Sequence, residues 1–185
     1  MAHDLRPFRQ YNENDVVNLF SFSGDSTLVR KGLAVQVTGD GWLNESGTSP
    51  VELLGSVGAS FTNVVSQRYG VKAKVATATS GAAILGLTLM DVRELDENGE
   101  KLVYNPRKAA EMGVVISGQA VPVVTKGIVA YSGASNVVAP GWVAFVSGTA
   151  GELAGASSLP TNATKVGKWL SKNDANSIAL LKIEL

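Results

Sequence analysis

Val166-Gly167-Lys168-Trp169-Leu170, then Asn173-Asp174-Ala175-Asn176, then Ile178-Ala179-Leu180-Leu181-Lys182-Ile183-Glu184-Leu185 decide the fold class. A short apolar run, a cluster of turn formers and a second apolar run spell strand, turn, strand. An apolar strand at the end of a chain must find a partner, so this segment is expected to be locked into a sheet.

Working back from there, the same grammar repeats. Val16-Val17-Asn18-Leu19-Phe20-Ser21-Phe22 reads as a first strand, with Phe20 and Phe22 on one face. Leu33 to Val37 is the next strand, closed by a turn at Thr38-Gly39-Asp40-Gly41 before Trp42. Val71 to Val75 alternates, with Val71, Ala73 and Val75 expected inward. Ile84 to Val92 and Lys101 to Tyr104 flank Asn98-Gly99, the dipeptide favoured by a type I′ turn, and so predict a long hairpin over 84–104. Val121-Pro122-Val123-Val124 should lie at an edge or bulge, because Pro122 has no N–H to give a ladder. Ile128 to Tyr131 and Gly141 to Val146 add further strands.

One helix is expected, over about 106–112. Asn105 can cap it, Pro106 suits its first position, and Gly113 ends it. Two turns are marginal alone, so docking through Ala109 and Met112 should stabilise them. The fold class is therefore mainly β: a small barrel or sandwich of short antiparallel strands, one short helix and an extended N-terminal arm. Residues 1–14 form the arm and 15–185 a single β domain, with a long Gly/Ala/Ser-rich loop at 147–164. Phe8 and Tyr11 stand among polar residues in the arm, which either packs on a neighbour or folds back on its own domain.

Composition narrows the chemistry. In 185 residues the hydrophobic fraction is 45% and the charged fraction 17%, enough for a core and too little charge for disorder. Sixteen basic residues balance sixteen acidic ones, which argues against a nucleic-acid binder. The chain has no cysteine and a single histidine, His3, which removes thiolate chemistry, Cys-ligated metals and a His-based triad. No run of about 18 apolar residues suggests a membrane span, and the polar start lacks the apolar core of a signal peptide.

Few motifs compete for a catalytic reading. Gly167-Lys168 fails the phosphate-loop pattern, since Asn162 stands at its first Gly and Trp169 follows the lysine. Asp91, Glu94, Asp96 and Glu97 cluster as paired acids can in a glycosidase, but they fall where charges keep a turn solvated. Asp96-x-Asn98-x-Glu100 lacks the later ligands of a calcium loop. The expectation is a non-enzymatic protein with no cofactor and no metal. Trp42, beside a glycine turn, is either core or contact surface.

Three stretches carry a resemblance. They are Gly113-Val114-Val115-Ile116-Ser117-Gly118 running on through Val121-Pro122-Val123-Val124-Thr125-Lys126-Gly127, the late Val166-Gly167-Lys168-Trp169-Leu170 with its final strand, and Asp15 to Phe20 with Leu28 to Leu33. Together they resemble tailed-bacteriophage virion proteins of the head-decoration or capsid-cement type. Residues 41–66 and 147–164 have no counterpart in that pattern. The resemblance implies a small β protein on the outside of the phage head, made in the host cytoplasm, that stabilises the shell without catalysis. Its partner would be the major capsid protein, its own state a trimer or dimer, and neither nucleic acid nor membrane would be bound. Leu5, Phe8, Arg9, Tyr11 and Trp42 are the candidate partner contacts. The alternatives are a tail-tube or head–tail connector protein, which would use 84–104 as a stacking hairpin, and a carbohydrate-binding module, which would set an exposed Trp42 or Trp142 beside the acids.

Overall fold

The computed structural model describes residues 4–7, 15–18, 20–22, 29–44, 64–66, 71–117, 119–148 and 151–185. Its strands form two main sheets, arranged like a sandwich rather than as one closed barrel.

The first sheet is antiparallel throughout. In spatial order it comprises β1 (Asp4–Pro7), β11 (Lys126–Ser132), β15 (Ile178–Glu184), β14 (Lys165–Trp169), β12 (Val143–Val146) and β13 (Leu153–Ala156). β15 thus lies inside the sheet, laddered to β11 on one side and β14 on the other. Its alternation puts Ala179, Leu181 and Ile183 inward and leaves Lys182 and Glu184 outside.

The turn before β15 is made by Asp174. Its Oδ1 accepts the N–H groups of Asn176 and Ile178, both at 2.8 Å. Gly167 on β14 faces Ile183 at such close range that a Cβ there would overlap the Lys182 carbonyl oxygen.

The second sheet runs β2 (Val16–Val17), β10 (Val123–Val124), β7 (Ile84–Thr88), β4 (Ala34–Asn44), β6 (Val71–Thr77) and β3 (Ser21–Phe22), and β5 (Val64–Ser66) also pairs with β6. Its pairs are antiparallel except β3 with β6. The expected single strand over 16–22 is therefore two short strands at opposite ends of this order. Residues 18–20 alone join them, a reach of about 14 Å at full extension, whereas six flat strands span about 24 Å. The sheet must curl, and backbone bonds from Val121 N–H to Phe20 O and from Phe22 N–H to Gln119 O follow that curl.

Several expectations change at this level. The turn foreseen at 38–41 is an irregularity inside β4, where pairing with β6 shifts between Thr38 and Leu43. β10 lies between β2 and β7 rather than at an edge, and Pro122 stands just before it, its carbonyl taking the Leu89 N–H at 3.0 Å. The stretch 147–164 is not one loop. It contains β13, and Gly151 stitches it to the second sheet, accepting from Ala34 N–H and donating to Ala78 O. Gly151 has φ 76°, and a Cβ there would meet the Ala34 carbonyl at 2.9 Å.

The long hairpin over 84–104 does not form. β7 pairs with β4 and β10, while β8 (Asp91–Arg93) turns away and pairs in parallel with β9 (Val114–Ile116). Between them run a 3-10 turn, Leu102–Tyr104, and the helix α1, Pro106–Met112. α1 matches its sequence expectation in bounds and in its end, Gly113 at φ 63°. Asn105 stands at its N-cap without a side-chain bond.

Two apolar clusters hold these layers together. The first fills the space between the sheets, with Tyr131, Trp169, Leu181 and Ile183 from one and Leu87, Ala34 and Val124 from the other. Tyr131 and Trp169 meet edge to face, with ring centroids 5.8 Å apart. The second cluster covers the other face of the second sheet and joins Phe20, Phe22, Val35, Val75 and Val123 to Val92 and Val115 of the β8–β9 unit.

Candidate docking surface

The β8–α1–β9 unit concentrates charge and exposed apolar surface on the side of the molecule away from the first sheet. It is anchored by Val92, Leu102, Ala109 and Val115, all buried. Asp96 organises its tip. One carboxylate oxygen accepts the N–H groups of Asn98 and Glu100, both at 2.8 Å, and the other takes the Lys108 ammonium at 2.6 Å. The Asp96 side chain is only 1% exposed. Asn98 has negative φ, so the tip is an Asp96-centred turn with Gly99 at φ 82°, instead of a type I′ turn.

The other acids are also engaged. Lys108 reaches Glu97 at 3.0 Å, Lys101 lies 3.8 Å from Glu94, and Asp91 accepts the Lys31 N–H and faces Arg93. The bond to Lys108 holds the Asp96 carboxyl below its usual range. Glu97 is lowered as well, first by a bond to its own backbone and then by Lys108. Lys108 itself is pushed up to about 12 by these two carboxylates. Among the described residues no group of three His, Asp or Glu side chains is placed to hold a metal ion. Chemically, this cluster stiffens a turn.

What the stiff turn presents is apolar. Leu102 points in, whereas Val103 is 58% and Tyr104 80% exposed, and Leu95 is exposed beside them. A backbone bond from Leu102 N–H to Glu94 O and a bridge between Leu95 and Lys101 tie this face to the turn.

Of the five residues singled out from the sequence, Leu5 is the one whose side chain is described. Leu5 is drawn into the chain's own core: 3% exposed, paired with Tyr131 on β11, and part of the inter-sheet cluster. The described part of the arm, Asp4–Pro7, is thus a strand of the first sheet, so of the two readings of the arm this part takes the folded-back one. Phe8, Arg9 and Tyr11 lie outside the described residues. Trp42 falls within β4, and its side chain lies outside the described part. Trp142 is half-buried against the inter-sheet cluster, away from the acids of the β8–α1–β9 unit.

Val103 and Tyr104 were absent from the sequence-based set because that stretch read as a hairpin strand. The available signal was Pro106, which leaves too little room for a paired strand before the helix starts.

Among the described residues no helix is long and apolar enough to cross a membrane. Comparison with known proteins finds no matching family model and no significantly similar curated protein. The class defined by the fold is accordingly a two-sheet β protein with an appended β8–α1–β9 unit, and its function has to be argued from its surfaces.

Proposed function

We propose that this chain is a structural virion protein of the head-decoration or cement type, which binds the outer surface of an assembled phage capsid and stabilises the head without catalysis. The observation that carries the reading is the exposed Leu95–Val103–Tyr104 face, held by the buried Asp96 carboxylate and its half-buried partner Lys108. Apolar side chains fixed in solvent by a stiff turn are built for a partner surface, since exposure of Tyr104 and Val103 contributes nothing to the chain's own core. The resemblance carried by 113–127, 166–185 and 15–33 supplies the class of partner, the major capsid protein. Repetition over a symmetric shell turns individually weak contacts into stable attachment. The protein would act as a small homo-oligomer on the head exterior, after synthesis in the host cytoplasm.

Sedimentation with and without expanded tailed-phage capsids tests this. Saturable co-sedimentation at a stoichiometry set by capsid symmetry, lost in Tyr104→Ser, supports the reading. A chain that leaves such capsids unbound at every concentration sinks it.

A further inference from the structure

The outer face of the first sheet has the opposite character from the β8–α1–β9 tip. Its strands β11, β15 and β14 carry Lys126, Lys182, Lys165 and Lys168, with Glu184 as their single carboxylate side chain. Lys165 and Lys182 both bridge to Glu184. Lys168 stands directly opposite Lys182 in the ladder, an unfavourable like-charge pair. Above the lysines lies an apolar strip. Leu180 pairs with Ala130, and Leu170, exposed, donates its N–H to the Leu180 carbonyl at 2.8 Å.

Residues 91–112 show the converse: six carboxylates against four cations, beside exposed Leu95, Val103 and Tyr104. The layers fix where the two faces stand. The first sheet and the second share one cluster, and the second sheet shares the other cluster with the β8–β9 unit. The lysine face and the β8–β9 strands that carry the tip are therefore on opposite sides of the second sheet.

We propose that these two faces are the two halves of one heterologous interface: the 91–112 tip of one copy docks on the β11–β15–β14 face of the next. The tip's excess of two carboxylates over cations, with exposed Glu100 foremost, meets Lys168 and Lys182 and relieves their repulsion, while Tyr104 and Val103 cover Leu170 and Leu180. Opposite charge on a chain of zero formal net charge brings copies together in one orientation and disfavours like faces meeting. A contact of this kind has no two-fold axis. It makes a closed ring if the rotation between copies closes, and a filament if it does not. The inference does not need a capsid partner: a tip docked on a neighbouring copy is covered, which leaves only the tip of an unpaired copy free for a capsid, and self-association is read with no capsid present.

Sedimentation velocity of the full chain over a concentration series, at about 0.1 M and about 1 M salt, reads the self-association; the screening length falls from about 10 Å to about 3 Å between them. Association is expected at the lower salt and should weaken at the higher. Two variants alter exposed residues only. Lys168→Glu with Leu170→Ser blocks the face, and Glu100→Lys with Tyr104→Ser blocks the tip. Each alone should associate roughly tenfold more weakly or worse, with a melting midpoint no lower than that of wild type. An equimolar mixture should recover association and stop at a one-to-one pair, because only one intact interface remains. A wild-type chain that stays monomeric throughout the series overturns the proposal. So does a variant that still assembles like wild type, or a mixture that stays monomeric.

Discussion

The side-chain amide of Asn136 bonds both backbone groups of Gly155, donating Nδ2–H to its carbonyl at 2.7 Å and accepting its N–H on Oδ1 at 2.9 Å. An asparagine thereby acts as a one-residue strand on the outer edge of β13. With Ser135 N–H bonded to Leu153 O, that edge is closed to strand addition. Asn136→Ala leaves a buried N–H and C=O without partners, a cost of about 1–3 kcal/mol. The check is urea denaturation, and the variant should also aggregate faster than wild type. An unchanged midpoint would mean that water replaces the amide without loss.

Gly167→Ala places a methyl group on the Lys182 carbonyl across the β14–β15 ladder, where backbone cannot step aside cheaply. The expected loss is about 3 kcal/mol or more. Gly148→Ala, with open space around it, is the control and should stay within about 0.5 kcal/mol of wild type. Equal effects of the two substitutions would contradict the close approach.

Leu5→Ala removes a nearly fully buried side chain from the inter-sheet core. A loss of about 2–5 kcal/mol is expected in equilibrium unfolding. A neutral result would show that β1 contributes nothing to the first sheet in solution.

The Asp96–Lys108–Glu97 cluster makes stability depend on pH in a stated direction. Both carboxyls are lowered in the folded state, so their contribution is present above the unfolded carboxylate range near 4 and is lost as pH falls through the lower folded values. Lys108 is raised to about 12, so its contribution is present below its ordinary value of 10.5 and is lost as pH rises towards 12. Lys108→Met should flatten the decline in unfolding midpoint between about pH 5 and pH 2. A decline as steep as in wild type would place the acid sensitivity elsewhere.

Tyr131 supplies an alkaline counterpart. Its hydroxyl is buried with no hydrogen bond of good geometry among the described residues, the Leu153 backbone lies close by, and burial pushes the phenol well above its usual value. The unfolded chain ionises near pH 10 and the folded chain does not, so stability falls as pH rises past that point. Tyr131→Phe should cost less than about 1 kcal/mol at neutral pH, or stabilise, and should soften the alkaline decline. A large neutral-pH loss would show that the hydroxyl has a partner after all.

Much of the local structure was legible in the sequence. The stretch from Asn105 to Gly113 announced its helix, and Asp174 with its neighbours announced the turn into β15, because caps and turns are chemistry within a few residues. Pairing was less legible, since it depends on partners far along the chain. Asp91–Arg93 looked like one arm of a hairpin until the helix between it and Val114–Ile116 made the pair parallel. Leu153-Ala154-Gly155-Ala156 read as loop because it is small-residue rich. A Cβ on Gly155 would meet Trp169 Nε1 at 2.8 Å, so small size there is a packing requirement of a strand. The exposed tip was hidden for the same reason as the missing hairpin, and Leu5 was placed on a surface because an arm seen alone shows no core.

The position of β15 between β11 and β14 also governs the order in which the chain can fold. Before residues 178–184 have been synthesised, the first sheet exists only as two fragments, β1 with β11 and β14 with β12 and β13. Each fragment then holds an unsatisfied inner edge, and most of the apolar face around Tyr131 and Trp169 has nothing to close over. Closure of this sheet accordingly waits for residues 178–184 and is then a nearly all-at-once event. A nick just ahead of Ile178 would leave two sticky half-sheets, so the cohesion of the whole sheet hangs on a single seven-residue segment.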